Sequence, residues 1–337
     1  MMPEGPECKR TADELNALCL GWSIAKIDIL SGRYVTHGPP AGFEEFTANF
    51  LPAVVSQVCC KGKFIYMICS SPSGRRASIW STLGMSGRWG LIESRHSRMR
   101  FTLTPSRVSS AASPAATESE MVLYYTDARN FGTLTFSWDT AELEAKLQSL
   151  GPAWLSGDVT KKEFLRLARK GKSRYAAVFL MDQSKTSGVG NYILSEAFYR
   201  SWIDPFLRLD QISDHQLMDL HEAISQVIGD SYASFGVSRG FRSVAPPIGM
   251  FRGLDNNAGS YGEQLQVYGR DLCARGRRVR KLMGPHKRSI WFCDEQLVPE
   301  SLANRQALGV TDSVMAAVYL SVSFSRVAAA SVLSSGS

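Results

Sequence analysis

Long apolar runs are missing from this chain: no stretch of about 18 uncharged apolar residues occurs, which argues against a transmembrane helix. The apolar patch at 314–324 is too short to span a bilayer. A secretory leader is not expected either, because Met1-Met2-Pro3-Glu4 lacks the basic-then-apolar order. Cysteine is scarce and irregular: seven residues, an odd number without regular spacing, make no disulfide framework. No internal repeat is visible. Together these absences imply a reducing intracellular compartment, the nucleus if the source is eukaryotic. What remains is the composition of an ordinary folded protein, 337 residues with 44% hydrophobic and 20% charged. At about 150 residues per domain it holds roughly two domains, each able to bury a core.

Negative charge is the scarcer sign: 38 Lys and Arg against 31 Asp and Glu leave an excess of +7. The excess is concentrated. Eight basic residues (Arg270, Arg275, Arg277, Arg278, Arg280, Lys281, Lys287, Arg288) face only Asp271, a local +7. Between Lys161 and Arg174 seven basic residues face Glu163, a local +6, so the remainder of the chain sums to −6. Clustering of this kind suits a phosphate-contacting footprint driven by counterion release. A solvated face or a nuclear-import signal has the same composition.

The first 140 residues read as a helix followed by strands. A helical pattern at 11–20 stops at Gly21, and β-prone runs follow at 24–30, 64–69, 78–83, 99–104, 121–126 and 133–138. Turn residues between them predict an antiparallel sandwich or barrel. The Ser/Ala-rich segment 105–120 reads as a loop, and Leu150-Gly151-Pro152 as a break. Helical patterns then dominate at 161–169, 176–182 and 192–202. Ser213 with Gln216 forms a capping box opening a long helix to Tyr232. Residues 234–262 read as an exposed loop, and 264–268 and 290–293 as two strands flanking the basic stretch. The expected division is a β-rich domain at 1–145, a helical domain at 146–262, a finger hairpin at 263–295 and a flexible tail at 296–337.

Chemistry starts at the leader, Pro3-Glu4-Gly5-Pro6-Glu7. A chain beginning at Pro3 presents a secondary amine, titrating near ~8, beside a carboxylate. Such an amine attacks an electrophilic carbon to form an iminium, and Glu4 can serve as acid or base. A Pro-kinked entry into the first helix has the same residues. Farther on, Gly188-Val189-Gly190-Asn191 lies between helical patterns, where backbone amides and a helix N-terminus favour an anion. Asn191 can cap that helix and donate to phosphate.

The chain resembles the formamidopyrimidine-DNA glycosylase/endonuclease VIII family through ordered blocks between Pro3 and Cys293. They are the leader, Lys61-Gly62-Lys63-Phe64, Leu83-Gly84-Met85-Ser86-Gly87 and Asp127-Ala128-Arg129-Asn130-Phe131-Gly132. Leu180-Met181-Asp182 with Gly188-Val189-Gly190-Asn191 follows, and then Gln264 to Arg270 leads into the finger. The resemblance implies an α+β protein of two domains: an N-terminal antiparallel β-sandwich with flanking helices, and a helical domain with a helix–two-turn–helix motif and a β-hairpin finger. It implies a bifunctional DNA glycosylase and AP lyase of base-excision repair. In it Pro3 attacks C1′, Glu4 protonates the opening sugar, Glu7 orders the site and Lys63 contacts phosphate and supports β,δ-elimination. Met85, Arg129 and Phe131 fill the void left by the extruded base. Asn191, Arg288 and Lys172 contact DNA. The expected substrates are oxidised pyrimidines and hydantoins, with formamidopyrimidines as a further class, in duplex or single-stranded DNA, and the protein is expected to be a monomer.

Departures from the family pattern matter too. Gly276 and Gln296 stand where many members have the second cysteine of each Cys-x-x-Cys pair, leaving Cys273 and Cys293 with His286 as a third donor and no fourth. The expectation is therefore a zincless finger of the endonuclease VIII-like branch, with no metal and no cofactor. Thr82 stands where relatives often have His. Exposure of the Pro3 amine requires translation from Met2 and removal of that Met. The rival class is a non-catalytic binder of damaged or single-stranded DNA.

Overall fold

The computed structural model describes residues 2–106, 120–234, 253–254 and 260–310. Most of the loops expected at 105–120 and 234–262, and the tail from 311 onward, lie outside the described residues.

Helix α1 (Gly5–Cys19) starts ahead of the expected position. Pro6 suits its first turn, and the Glu7 carboxylate accepts the Glu4 N–H at 2.8 Å. Cys8, Ala12, Leu15 and Cys19 recur at helical spacing and form its buried face. Strands β1 (Trp22–Ile29), β2 (Ala53–Lys61), β3 (Phe64–Ser70), β4 (Arg76–Thr82), β5 (Gly87–Gly90), β6 (Ser97–Pro105), β7 (Met121–Asp127) and β8 (Thr133–Ser137) follow, with short helices α2 (Arg33–Thr36) and α3 (Phe43–Asn49) before β2. They form one antiparallel sheet in the order β5-β7-β6-β1-β2-β3-β4-β8.

The layers of the expected sandwich are two halves of this open sheet. Trp89 on β5 donates its indole N–H to Ser81 Oγ on β4 at 3.0 Å, and Tyr125 on β7 donates its hydroxyl to Thr82 O at 2.9 Å. Trp89, Phe101 and Tyr125 pack at the centre of the fold-over. Two strands escape a periodicity reading. In β2 the register shifts between Val55 and Gln57, and β5 has four residues, two of them glycine.

Helix α4 (Thr140–Ser149) straddles the expected boundary at 145. It stays with the sheet, because Lys61 Nζ donates to Leu147 O at 2.8 Å, and the chain crosses over only at Gly151, whose N–H reaches Gln183 O. Helices α5 (Lys161–Lys170), α6 (Ala176–Met181), α7 (Asn191–Arg200) and α8 (Asp214–Ala233) then surround Phe164, Phe179, Tyr192, Phe198 and Leu220. The Ser213–Gln216 capping box is present in both directions, at 3.2 and 2.9 Å.

Two expectations need correction. Residues 264–268 are no strand: they leave helix α9 (Tyr261–Gln264) as an irregular segment whose Gln266, Val267 and Tyr268 N–H groups all donate to the buried Glu196 carboxylate. The hairpin is instead β9 (Val279–Met283) paired with β10 (Ser289–Cys293). The chain at 296–310 is no flexible tail. It ends in helix α10 (Leu302–Ala307), and the buried Asp204 carboxylate collects donors from Val298 N–H, Ser301 and Arg305. Polar composition suggested fraying, whereas those polar groups satisfy one buried acid.

Candidate active site and nucleic-acid interface

Glu4 ends the leader inside the protein, 1% exposed, and its side chain meets the start of α7. Its Oε1 accepts the Tyr192 N–H at 2.9 Å and its Oε2 accepts the Ile193 N–H at 3.3 Å. The helix N-terminus that an external anion was expected to occupy thus holds the protein's own carboxylate. The glycines before it serve this close approach. A Cβ on Gly190 would lie 2.2 Å from Glu4 Cδ and 2.5 Å from Lys63 Nζ, and Gly5 donates its N–H to Gly188 O at 2.8 Å. Asn191 is not the cap, since Gly190 occupies that place.

Burial pushes Glu4 up to about 7, opposed by the nearby Lys63 charge and assisted by Glu7. Burial also raises Glu7, whose carboxylate accepts from Glu4 N–H, Tyr192 Oη at 3.0 Å and Ser231 Oγ at 3.1 Å. Lys63 is half-buried, and desolvation of its ammonium lowers its value against the pull of Glu4. A carboxyl group that is still protonated near neutral pH can give a proton to a leaving or opening group.

In front of this cluster lies a cleft of ≈ 650 Å³ whose walls include Pro3, Lys63, Met85, Phe131, Lys146 and Arg288. Phe131 stands 57% exposed at its rim, with the Arg129 guanidinium 5.5 Å from its ring centre. The loops carrying Met85 and Phe131 are tied together by buried Asp127, which accepts from Ser86 Oγ, Arg129 N–H and Gly132 N–H. Thr82 lines the cleft as well, its hydroxyl 2.7 Å from that of Thr133.

The finger approaches from the helical side. Asn191 Nδ2 donates to Ser289 O at 2.7 Å, and its Oδ1 lies 2.9 Å from His286 Nε2. Arg288, exposed on the turn between β9 and β10, points its charge into the cleft close enough to depress Lys63.

Residues 2–134 match the formamidopyrimidine-DNA glycosylase N-terminal domain and residues 150–239 the H2TH domain of the same enzymes. The chain belongs to this family. It is a DNA glycosylase of base-excision repair. It is 31% identical over 275 residues to the formamidopyrimidine-DNA glycosylase of Pseudomonas aeruginosa (strain LESB58), covering 80% of this chain and 89% of that protein. The glycosylase of Marinomonas sp. (strain MWYL1) is 25% identical, with 87% and 98% covered. Among solved structures, the wild-type Lactococcus lactis Fpg with DNA containing an oxidised pyrimidine superposes with a TM-score of 0.68 at 21% identity, covering 87% of this chain and 99% of that one. The same enzyme with abasic-site DNA gives 0.68 at 22% identity, with coverages of 87% and 98%.

In this glycosylase the fold gathers Pro3, Lys63, Met85, Phe131 and Arg288 at one cleft, with Glu4 and Glu7 behind it and Arg129 at the rim. Asn191 lies inside, holding the finger rather than facing solvent. Lys172 is exposed and does not line the cleft; its carbonyl accepts the Asp210 N–H. Sequence reasoning missed Lys146, Tyr192, Ser231 and Asp127. For Lys146 the only available signal was α4 itself, which places that lysine toward the cleft.

The basic stretches also proved less free than their composition implied. Lys161, Arg166, Arg169 and Arg174 pair with Glu222, Glu163, Asp214 and Asp182. Arg277 and Arg280 pair with Glu295 and Asp294, and Arg275 lies over Trp202. Among the described residues no three His, Cys, Asp or Glu side chains converge as a metal set, and His286 is turned to Asn191. Nor, among them, is any helix long and apolar enough to cross a membrane.

Proposed function

We propose that the chain is a bifunctional glycosylase and AP lyase that removes oxidised bases through an imine on Pro3. The observation that carries the reading is the cleft itself, where Pro3 and Lys63 share a wall with Arg288 and a carboxyl shifted to about 7 stands behind them. In this reading a damaged nucleotide leaves the stack, and Met85, Phe131 and Arg129 fill the vacancy. The free Pro3 amine attacks C1′ as Glu4 protonates the sugar oxygen and the C1′–O4′ bond breaks; the base then departs with the amine proton, and an iminium on Pro3 remains. Lys63 and Arg288 hold the flanking phosphates through β- and δ-elimination. Glu7, Tyr192 and Ser231 keep Glu4 in place. Every reacting group comes from the chain, so no cofactor or metal is assigned a step.

The finer assignment is the endonuclease VIII-like branch with a zincless finger, and the substrates are oxidised pyrimidines and hydantoins, with formamidopyrimidines as a further class. Duplex DNA is the principal partner, single strands a second one, and the acting species a monomer in an intracellular compartment. Borohydride trapping over a panel of such lesions, with an abasic site as control, tests the reading. A covalent adduct that vanishes on Pro3→Ala is expected; tight binding with no adduct on any lesion overturns it. Intact mass of the active protein should show Pro3 as the first residue, and Met2 retained on trapping-competent protein sinks the nucleophile.

A further inference from the structure

The reaction proposed above leaves one cation of the cleft without a task. Lys146 is the basic residue in the last turn of α4. A lysine so placed ordinarily pairs with an acid one turn back or covers the terminal carbonyls. Both places are taken. Glu142, four residues back, accepts the Ser137 hydroxyl at 2.6 Å. Leu147 O accepts Lys61 Nζ at 2.8 Å, and Lys146 O accepts the Ser149 hydroxyl at 2.7 Å. Among the described residues the lysines that form ion pairs are Lys9, Lys26 and Lys161, and Lys146 is not one of them. Its ammonium lies instead 5.5 Å from the centre of the Phe64 ring. That ring is held in turn by Tyr66, stacked at 5.6 Å, and by Trp80, edge-on at 5.7 Å. An aromatic face steadies a cation without neutralising it. Phe64 follows Lys63 in the chain, and both line the cleft with Lys146. Leu150, four residues beyond Lys146 and so on the same side of the helix end, lines it too. Among the described residues this lining holds three charged side chains, Lys63, Lys146 and Arg288, and no carboxylate. Lys63 stands against Glu4 at the start of α7, and Arg288 belongs to the finger. Lys146 is the cation that the sheet domain's last helix presents to the same space.

We propose that Lys146 is a further DNA-binding residue, whose ammonium holds a backbone phosphate of the lesion-bearing strand at the sheet side of the cleft. The ligand follows from the donor. A single compact ammonium is a point charge that suits a phosphate oxygen, whereas reading a base edge takes a bidentate side chain. The strand follows from the wall: Pro3 and Lys63, which meet the damaged nucleotide, share it with Lys146. Arg288 reaches the cleft from the finger and Lys146 from α4, so the strand is gripped from both domains. The assignment rests on the reading that DNA occupies this cleft, and not on an imine at Pro3.

Binding of the full protein to duplex DNA with one tetrahydrofuran residue, an abasic analogue that forms no imine, tests this. Lys146→Met keeps an apolar stem over Phe64 and removes the charge. Lys146→Gln is a second neutral variant, and Lys146→Arg retains the charge. A plot of log Kd against log salt should lose about one unit of slope in both neutral variants and none in Lys146→Arg. A methylphosphonate removes the charge of one phosphate. Placed in turn along the lesion strand, it should abolish the difference between native protein and Lys146→Met at one position and preserve it elsewhere. Unchanged slopes in Lys146→Met and Lys146→Gln, with the slope still reduced in Arg288→Ala, overturn the proposal alone. Unchanged slopes in all three variants remove DNA from this cleft and overturn the underlying reading with it. A reduced slope that couples to no single methylphosphonate shows diffuse attraction, and it too overturns the contact.

Discussion

The floor of the cleft and the finger that overhangs it handle charge in opposite ways. At the floor, Glu4 and Glu7 are 1% and 2% exposed, and every oxygen is matched to a backbone or hydroxyl donor. The charges there are shifted from their ordinary protonation, because desolvation raises the carboxyls and lowers the amine. On the finger many charges sit in water, and Arg275, Arg277, Arg280 and Lys281 are held by carboxylates or rings of their own chain. Arg288 differs from its neighbours: it is exposed, faces the cleft and has no ion-pair partner among the described residues. Local density of charge therefore says little about which cation is available to DNA. Pairing decides that.

The sharpest test of the floor is Glu4→Gln, expected to lower single-turnover excision by about 10²-fold or more. Excision against pH should also lose the decline that sets in above about 7 in the native protein. The sign for stability runs the other way. Glu4 is raised from 4.5 to about 7, so its contribution to stability is full below about 4.5 and is lost as pH rises through about 7. Melting at pH 8 should therefore occur at a higher temperature in Glu4→Gln than in the native protein, and a lower one would show that the burial penalty is overstated. A smaller effect is expected at the rim. Arg288→Ala should weaken duplex binding and reduce the salt slope by about one unit, and Lys146→Ala should do the same if both reach phosphate. Met85→Ala should slow excision from duplex a few-fold more than from single strands, where there is no stack to refill; equal losses would remove it from the void-filling set. At the bottom of the scale, Arg277→Ala should leave the salt slope unchanged, because Glu295 already holds that guanidinium. A slope change equal to that of Arg288→Ala would break the distinction between paired and available cations.

Much of the architecture was legible because its signals are local. Six strands, α1 and the capping box at Ser213 were each announced by alternation, helical spacing or a cap within a few residues. The misses share a cause: the deciding partner is remote in sequence. Residues 264–268 look like a strand until Glu196 captures their N–H groups, and 296–310 look like a tail until Asp204 gathers their donors. Gly188-Val189-Gly190-Asn191 was read as a phosphate cradle, since nothing local tells that Glu4 fills the helix terminus. The same limit hid Asp127 and Tyr192, whose roles consist of bonds across the fold.

By itself the chain determined its family, its order of blocks and the clustering of its positive charge. These follow from residue type and short-range spacing, which survive without a fold. Tertiary structure alone decided that Glu4 is held near neutrality at a helix terminus, that Arg277 and Arg280 on the finger and Lys161, Arg166 and Arg169 on α5 are already paired, and that Lys146 joins Lys63 and Arg288 at the cleft. Protonation and availability of charge depend on what surrounds a group within a few ångströms, and in this protein those surroundings come from remote segments: Ile193 is 189 residues from Glu4 and Ser231 is 224 from Glu7.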